Sequence, residues 1–442
     1  MSELKDYLQI FDATPEQEKF PLVYGWMQTQ ALDFFKQLRE RRPILVTPDA
    51  TIITLFEDVR DMLMLPKIFT VALYKPKMAD YLMAHDDDAL HDREKAIMHA
   101  MLNRDDLPLV RELVAKNASR ILDDAKGQIE IVENYCRGVP ASIVQDYFGL
   151  DGVDPKDLKR WSFWTQYNTF HNQPFSLNSK EKYEHIEKQH AKASDELGKY
   201  IIGLMIRKTL SVKLGEAKNK FFFVWNCIVK AYYWITARKV DKLTDNIVTR
   251  MLSASYPQQL DFGIERQGVN AGGLLIGAIE TTSQAVAQSI EMILSDRLLL
   301  DKAEEAAQKK DTSDFDNIVW ETLRYVPISP FVFRQAAKQY TVAKGRPHET
   351  TIEAGAHVII ATQSAMFDTY AYENPDEFSP DRTFYHNFIF GYGSHECLGK
   401  YVGMVMIPEM VRQVILRRNI KAEGKIDYDD KPFPTFFNLS WE

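Results

Sequence analysis

One ten-residue segment near the C-terminus constrains this chain more than any other. It reads FGYGSHECLG from Phe390 to Gly399, and it presents one cysteine among three glycines just before a helical pattern. A glycine-rich turn of this kind can aim backbone N–H groups at the sulfur. A cysteine at a helix start has a lowered thiol pKa, because the helix dipole and the free amides favour the anion. The sequence therefore predicts that Cys397 acts as a thiolate.

A thiolate suits a haem iron, because it is an electron-donating axial ligand that promotes cleavage of an O–O bond. The pattern Phe-Gly-x-Gly-x-His-x-Cys-x-Gly resembles the haem-binding loop of the cytochrome P450 family, the haem-thiolate monooxygenases. The resemblance covers the chain from about Ile44 to its end. It implies that Cys397 binds the iron of haem b, and that further residues of the loop contact the cofactor, namely Phe390, Gly391, His395 and Gly399.

Two motifs that precede this loop in the sequence fit the same family. Glu321 and Arg324 stand at i and i+3 of a helical pattern, about seventy residues before the cysteine. Alone, such a pair is common on protein surfaces and contributes little stability. The resemblance implies that this pair, completed by Arg382 of the segment PDEFSPDR, ties the helix to the loop that cradles the haem. We therefore assign these three residues a structural role.

An upstream helical segment, GAIETT, resembles the family's distal helix. Gly277 and Ala278 leave room over a flat cofactor, and the resemblance implies that they lie above the haem beside the substrate. Glu280 and Thr281 are an adjacent acid and alcohol, and the resemblance implies that they deliver protons during oxygen activation. The alternative for the threonine is structural, since a helical Thr commonly bonds back to the preceding turn.

Four residues match the family's contacts to the haem propionates. They are His91, Lys95, Arg334 and His395. Propionates are anions that need cations or donors nearby. The family commonly has arginine where this chain has Lys95, which carries a point charge without the forked guanidinium. Each of the four, taken alone, is more often an ordinary surface charge.

The hydrophobic periodicity predicts a mainly α protein with small β-sheets, as in the cytochrome P450 fold. The first 45 residues and the segment 131–150 show helical spacing, whereas Ile44–Thr47 and Thr51–Leu55 form a hairpin pattern. Further short strands are expected at 340–342, 350–352 and 358–361. The chain shows neither an internal repeat nor a low-complexity linker, so we expect a single domain over 1–442. We also expect a helix kink at Pro408.

The largest departure from compact bacterial members is an aromatic-rich insertion at about 209–240, before the distal helix. The resemblance places the end of the preceding lid helix near Arg207 and Lys208. Asn226 and Lys230 interrupt the most apolar stretch, which is shorter than the roughly 20 residues that span a bilayer. With its flanking basic residues, 218–239 suits peripheral contact with a membrane surface. A core helix or a helix facing a protein partner is the alternative.

Substrate-facing positions follow from the resemblance alone. They are the loop 68–81 together with Ile328, Phe331, Val332, Phe436 and Phe437. These residues are mainly apolar and aromatic, which favours a hydrophobic substrate such as a lipid, terpenoid, steroid or polyketide. Ordinary core packing is the alternative for each.

Charge and cysteine content restrict the partners. The chain has 54 basic and 62 acidic side chains, a net charge of −8, which argues against nucleic-acid binding. Three cysteines and a charged N-terminus without an apolar signal core favour a reducing, cytoplasmic location.

The resemblance implies a monooxygenase that inserts one atom of dioxygen into a hydrophobic substrate. The sequence lacks a Gly-x-Gly-x-x-Gly dinucleotide fingerprint after a strand, so electrons must come from outside. A ferredoxin with an NAD(P)H-dependent ferredoxin reductase is the expected donor. The alternatives are a peroxide-using or rearranging haem-thiolate enzyme and, from another class, a non-catalytic haem sensor.

Overall fold

The computed structural model describes residues 5–86, 88–229 and 245–442. Most of these residues are helical. The helices are α1 (Tyr7–Ala13), α2 (Glu16–Thr29), α3 (Ala31–Arg41), α4 (Phe56–Leu63), α5 (Ala89–Met101), α6 (Leu107–Asp124), α7 (Gly138–Ile143), α8 (Pro155–His171), α9 (Lys180–Val229), α10 (Ile247–Ser253), α11 (Ile264–Ala278), α12 (Glu280–Ser295), α13 (Arg297–Ala307), α14 (Ser313–Tyr325), α15 (Thr362–Ala365) and α16 (Lys400–Ile415).

Short strands form three small sheets between the helices. The strands are β1 (Ile44–Val46), β2 (Thr51–Ile53), β3 (Phe69–Thr70), β4 (Gln128–Glu130), β5 (Val332–Ala336), β6 (Tyr340–Val342), β7 (Thr350–Ile352), β8 (His357–Ile360), β9 (Lys421–Ala422) and β10 (Asn438–Ser440). The largest sheet has the order β1-β2-β8-β5-β3, and the others are β4-β10-β9 and β6-β7. The predicted fold class, mainly α with small sheets, is confirmed.

The predicted hairpin near the N-terminus is present. Strands β1 and β2 pair antiparallel with Leu45 opposite Ile52, and β2 then pairs in parallel with β8. The β-branched side chains of β2 and β8 are buried on both faces, which is why these short runs read as nearly continuous apolar sequence. The sheet carries Arg334 on its strand β5.

The cysteine loop leads directly into α16, which packs against α6, α12 and α14. The helix stays continuous through Pro408 up to Ile415. Helices α11 and α12 follow one another, with an interruption of the helical hydrogen bonds at Ile279. The segment predicted as one helix over 131–150 consists of α7 between two π-helical turns, 132–136 and 144–148. This run of helix places Arg137 opposite the start of α12.

Helix α9 corrects one sequence prediction. It continues past Arg207 and Lys208 and ends at Val229, so the expected helix end at those residues is wrong. The sequence from Thr209 to Val229 has no proline and a single glycine, so it lacks a residue that would stop the helix. The remainder of the segment 218–239, from residue 230 onward, lies outside the described residues. That the chain forms a single domain with an insertion at about 209–240 stays a prediction.

A search of the helices in the described ranges finds none that combines the length and the apolar character needed to cross a bilayer.

Candidate functional site

The loop before α16 is held in one shape by its glycines and by Phe390. Gly391 and Gly393 have φ values of +71° and +73°, in the left-handed region that side chains rarely adopt. A Cβ placed on Gly393 would lie 2.7 Å from the carbonyl oxygen of Leu63. The Cys397 amide donates to the Phe390 carbonyl at 2.8 Å, and the Phe390 ring packs on Trp320 with centroids 5.6 Å apart. The cysteine therefore sits at a fixed point of the loop.

The environment of Cys397 contradicts the expected lowering of its thiol pKa. The side chain has accessible surface, yet the surrounding protein is close enough that burial raises the pKa of the thiol. The Gly399 amide, which donates toward Sγ, and the nearby Lys95 ammonium act in the opposite direction but do not reverse the shift. A Cβ built on Gly399 would be in ordinary van der Waals contact with Sγ, at 3.9 Å. Metal binding removes such a thiol proton, because a coordinating thiol is deprotonated outright.

The four predicted propionate contacts converge on this loop. His91 is fully buried on α5, with Nε2 3.0 Å from the Ser394 carbonyl oxygen and Nδ1 2.9 Å from that of Leu82. Lys95 donates from Nζ to the carbonyls of Ser394 and Glu396, the latter at 2.7 Å. These bonds attach helix α5 to the cysteine loop.

His395 occupies the centre of this cationic group. Its ring lies 4.5 Å from the His91 ring, centroid to centroid. Both of its ring nitrogens are buried, and neither has a hydrogen-bond partner in the described part of the chain. Burial, and then the charges of Arg334, His91 and Lys95, lower the pKa of His395 to about 2. A buried imidazole with two free nitrogens beside these cations lacks an anionic acceptor group, which haem propionates would supply.

Helix α11 supplies open space close to these residues. A Cβ built on Gly277 would have no atom within 4 Å, and Gly277 is exposed although its neighbours Ile276 and Ala278 are buried. Thr281 is partly buried, and its Oγ1 donates to the Gly277 carbonyl at 2.6 Å, which is the structural alternative considered above. The free space, the accessible thiol and the unpartnered imidazole together fit a haem group.

Glu280 lies at the start of α12 and is 1% exposed. Its carboxylate accepts from Arg137, from Nε at 2.8 Å and from Nη2 at 3.0 Å, and Nη2 also donates to the Pro434 carbonyl at 3.1 Å. Burial raises the pKa of Glu280, and the Arg137 charge partly offsets this rise. Sequence reasoning missed Arg137. The one available signal was Glu280 itself, because an acid buried in the distal helix requires a buried cation opposite it.

The predicted structural residues form one buried network. Arg324 donates to Glu321 at 2.7 Å and 3.0 Å, and Arg382 approaches the same carboxylate at 3.3 Å. The remaining donors of Arg324 reach the carbonyls of Met366, Pro375 and Glu377. The network thus joins α14 to the segment that precedes the cysteine loop.

A cavity of about 660 Å³ lies between the loop 76–81, helix α9 and helix α11. Most of its lining is apolar, and the loop contributes Lys77 and Tyr81. The Tyr81 ring lies directly over Gly273, since a Cβ there would be 2.1 Å from a ring carbon. Burial, and then the charge of Cys397, raise the pKa of the Tyr81 phenol, so this cavity residue lies near the cysteine.

The other predicted substrate contacts have different surroundings. Phe437 is 1% exposed within the main hydrophobic core, where its bulk serves packing, and its assignment to the substrate site stays a prediction. Phe436 is exposed, Phe331 is buried against Tyr24, and Val332 pairs with Ile360 across β5 and β8. Ile328 is partly buried, and its carbonyl accepts from Gln284 at 2.9 Å. Within the described residues, none of these five is among those that line the cavity.

A mainly helical chain that presents one accessible cysteine beside the cations Lys95 and Arg334 and an apolar cavity has the features of a haem-thiolate protein. The family model for cytochrome P450 matches residues 152–432 of this chain. The chain belongs to the cytochrome P450 family, and it is a haem b-binding monooxygenase.

Known proteins agree with this placement. The chain is similar to cytochrome P450 119 of Sulfurisphaera tokodaii, with 23% identity over 89% of this chain and 95% of the relative. It is 20% identical to the steroid C26-monooxygenase of Mycobacterium tuberculosis over 76% of this chain and 77% of that protein. A shorter match, 31% identical over a third of each chain, is to the vitamin D3 dihydroxylase of Streptomyces griseolus.

Solved structures share the fold at low sequence identity. The haem domain of CYP116B5 from Acinetobacter radioresistens has a TM-score of 0.72 and 17% identity, covering 98% of this chain and 100% of that one. CYP109E1 from Bacillus megaterium, in complex with testosterone, has a TM-score of 0.69 and 18% identity, covering 93% of this chain and 98% of that one.

Proposed function

We propose that this enzyme inserts one oxygen atom from dioxygen into a hydrophobic organic substrate, with electrons from an external redox partner. The observation that carries the proposal is the mainly apolar cavity, which reaches Tyr81 beside the Cys397 loop. Apolar cavities of this size bind drug-sized molecules. The names of the relatives, a steroid C26-monooxygenase and a vitamin D3 dihydroxylase, support an apolar substrate.

When bound, haem supplies the redox and oxygen chemistry that amino-acid side chains lack. The chain's own residues hold it. Cys397 would hold the iron through its thiolate, and the cations around His395 would pair with the propionates, while Lys95 and His91 fix the loop through the Ser394 carbonyl. Gly277 would leave room for the substrate, since a Cβ there has no atom within 4 Å.

Glu280 and Thr281 supply protons in this proposal. Glu280 is buried, and burial raises its pKa, so its carboxyl group takes up a proton more readily than an exposed glutamate does. Arg137 keeps its own proton at any physiological pH, so it positions the Glu280 carboxylate rather than relaying a proton through it. Proton transfer then requires Glu280 to turn from Arg137 toward the Thr281 hydroxyl.

A ferredoxin, reduced by an NAD(P)H-dependent reductase, is the electron donor we propose. Cations surround the start of α16, where the cysteine loop ends. Arg104 stacks on Tyr401 with its guanidinium carbon 3.8 Å from the ring centroid, and Lys400 and Lys95 lie near Glu396. A small acidic electron carrier is attracted by such a group. A cytoplasmic location belongs to the same proposal, and it is supported by the free thiols of Cys136 and Cys397.

One observation favours a peroxide-using enzyme as a second candidate. Both Glu280 oxygens accept from Arg137, and the Thr281 hydroxyl donates to the Gly277 carbonyl. In this arrangement neither group is free to deliver a proton. Peroxide arrives already reduced and protonated, so it does not need that delivery.

Parallel assays with testosterone as the probe separate the two candidates. The haem-loaded enzyme is incubated either with dioxygen, ferredoxin, reductase and NADPH, or with hydrogen peroxide alone. We expect a product that carries one oxygen atom from ¹⁸O₂ in the first assay. We also expect Thr281→Ala and Glu280→Gln to lower product formation per NADPH there, and to leave the peroxide reaction nearly unchanged. Turnover with peroxide alone, unaffected by either substitution, would establish the second candidate.

A further inference from the structure

The cavity beside Tyr81 has one buried cation in its wall. The lining is mostly glycine, alanine and aliphatic side chains from the loop 76–81, α9 and α11. Within the described lining, Lys77 and Glu265 carry full charges, and His190 is titratable. Lys77 is 6% exposed, which is unusual because lysine is almost never fully buried without a partner.

The ammonium group of Lys77 has fewer acceptors than donors. Its Nζ donates to Asn168 Oδ1 at 3.2 Å, and the Asn172 amide shares that same oxygen. In the part of the chain that the structure describes, no second acceptor lies within hydrogen-bond distance of Nζ. The Tyr183 ring, 5.3 Å from Nζ, offers a weak cation–π contact. Two of the three N–H donors are therefore available.

Neighbouring acids pair only loosely with this cation. Glu187 lies 3.8 Å from Nζ, beyond hydrogen-bond distance, and its side chain is half exposed to water. Glu265 lies at the other end of the cavity from Lys77. Gly268, one turn after Glu265 on α11, contacts Ile201 of α9. Ile201 is about 20 Å from Glu187 along α9 at 1.5 Å per residue. His190 is held neutral near Lys77, since burial lowers its pKa and the Lys77 charge lowers it further.

We propose that the substrate is an apolar carboxylic acid whose carboxylate accepts hydrogen bonds from Lys77. This inference rests on the proposed function, because it assigns a substrate class to that same site. A buried ammonium with free donors in an apolar wall is an incomplete site, and a charge-assisted bond to a carboxylate completes it. A single cation with two available donors matches one monovalent carboxylate, while the aliphatic lining accommodates the hydrocarbon part of the molecule.

Spectral titration of the haem-loaded, full-length protein tests this proposal. The probes are dodecanoic acid and methyl dodecanoate, which differ in charge and share the same hydrocarbon chain. Binding is followed by the change of the Soret band at pH 7.5, where the acid is ionised. The variants are Lys77→Met, which keeps the aliphatic stem, and Lys77→Arg, which keeps the charge. The matched control is Lys199→Met, on the same helix as His190 but with its side chain exposed and paired with Asp195.

In the wild type we expect the acid to bind at least about tenfold more tightly than the ester, the size of one charge-assisted hydrogen bond. Lys77→Met removes this preference, whereas Lys77→Arg and Lys199→Met retain it. Equal affinities in the wild type, or a preference that persists in Lys77→Met, would overturn the proposal. Each sample is also checked by its reduced, carbon monoxide-bound spectrum. A missing thiolate band rejects the proposed function itself, whereas a normal band without acid preference rejects the substrate class alone.

Discussion

Two of the buried clusters of opposite charges in this molecule are built differently. In the first, Arg324 pairs with Glu321 and also donates to three main-chain carbonyls. In the second, Arg137 pairs with Glu280, Nη2 also donates to the Pro434 carbonyl, and Nη1 reaches the half-exposed Glu133. The first cluster fixes a long irregular segment in place, because its hydrogen bonds replace those that a strand or helix would provide.

The second cluster is a side-chain pair that joins two helical segments already formed by their own hydrogen bonds. Its carboxylate adjoins Ile279, where the helical hydrogen bonds of α11 and α12 are interrupted. The difference indicates that the Glu321 cluster is part of the fold, whereas the Glu280 pair can be altered without loss of the fold. Glu280 is therefore free to act in catalysis, since the fold does not depend on its pair with Arg137.

The largest effect is expected from Arg324→Met. The change leaves Glu321 as a buried charge whose remaining side-chain partner is Arg382, and it removes the Arg324 donor from the Met366 and Pro375 carbonyls. Breaking a buried pair costs about 3–5 kcal/mol. We expect the free energy of unfolding, measured by urea titration, to fall by at least that amount and haem binding to be lost. The control Arg346→Met breaks an exposed pair with Glu57 and should leave the free energy of unfolding nearly unchanged.

Arg137→Met should have a smaller effect that depends on pH. Burial raises the pKa of Glu280 in the folded state and Arg137 opposes that rise, so the variant raises this pKa further. An acid with a raised folded-state pKa binds more protons when folded than when unfolded. Stability therefore falls as the pH rises from the unfolded-state pKa to the folded-state pKa. We therefore expect urea titrations to show a larger loss of stability at pH 8 than at pH 5.5. A loss that is equal at both pH values would contradict this account.

Removing both partners sharpens the contrast. Arg137→Met with Glu280→Met leaves no buried charge, and such replacements are often neutral or stabilising. We expect the unfolding free energy of this double variant to lie within about 1 kcal/mol of the wild type. The matched double variant Glu321→Met with Arg324→Met stays strongly destabilised, because the Met366 and Pro375 carbonyls and the Ser379 amide lose their hydrogen-bond partners. Equal losses in the two double variants would remove the distinction between the clusters.

The smallest effect on stability is expected from Thr281→Ala. Its hydroxyl bonds to the Gly277 carbonyl in the last turn of the preceding helix α11 and the residue is partly exposed, so the change should cost about 0.5 kcal/mol or less. A thermal melt of the haem-loaded protein measures this. A large loss would show that Thr281 has a structural role and would remove it from the proton-delivery proposal.

The sequence allowed the fold and the cysteine loop to be predicted for separate reasons. Short β-branched runs and helical periodicity are local signals, so the hairpin at Ile44–Val46 and the fold class could be read directly. The loop was recognisable because its glycines and cysteine occupy fixed positions. The pair of Arg137 and Glu280 was not predictable in the same way, because 143 residues separate its members and neither is part of a local pattern that names the other.

Two errors have related causes. The end of α9 was misplaced because the resemblance suggested a boundary where the chain itself has no helix-breaking residue. The thiol pKa of Cys397 was expected to fall because a helix start was considered without its surroundings, and burial by distant segments reverses the direction. Lys77 was overlooked in the same way, since a lysine in a loop is ordinarily exposed and its burial depends on α8 and α9.

The spectrum of the reduced, carbon monoxide-bound protein tests the central claim, iron ligation by Cys397, most directly. The wild type and Cys136→Ala, which changes a buried cysteine in the core, should both give the strongly red-shifted Soret band of a thiolate-ligated haem. Cys397→Ala should lose that band. A haem-loaded wild type without the band, or a Cys397→Ala variant that retains it, would contradict the account.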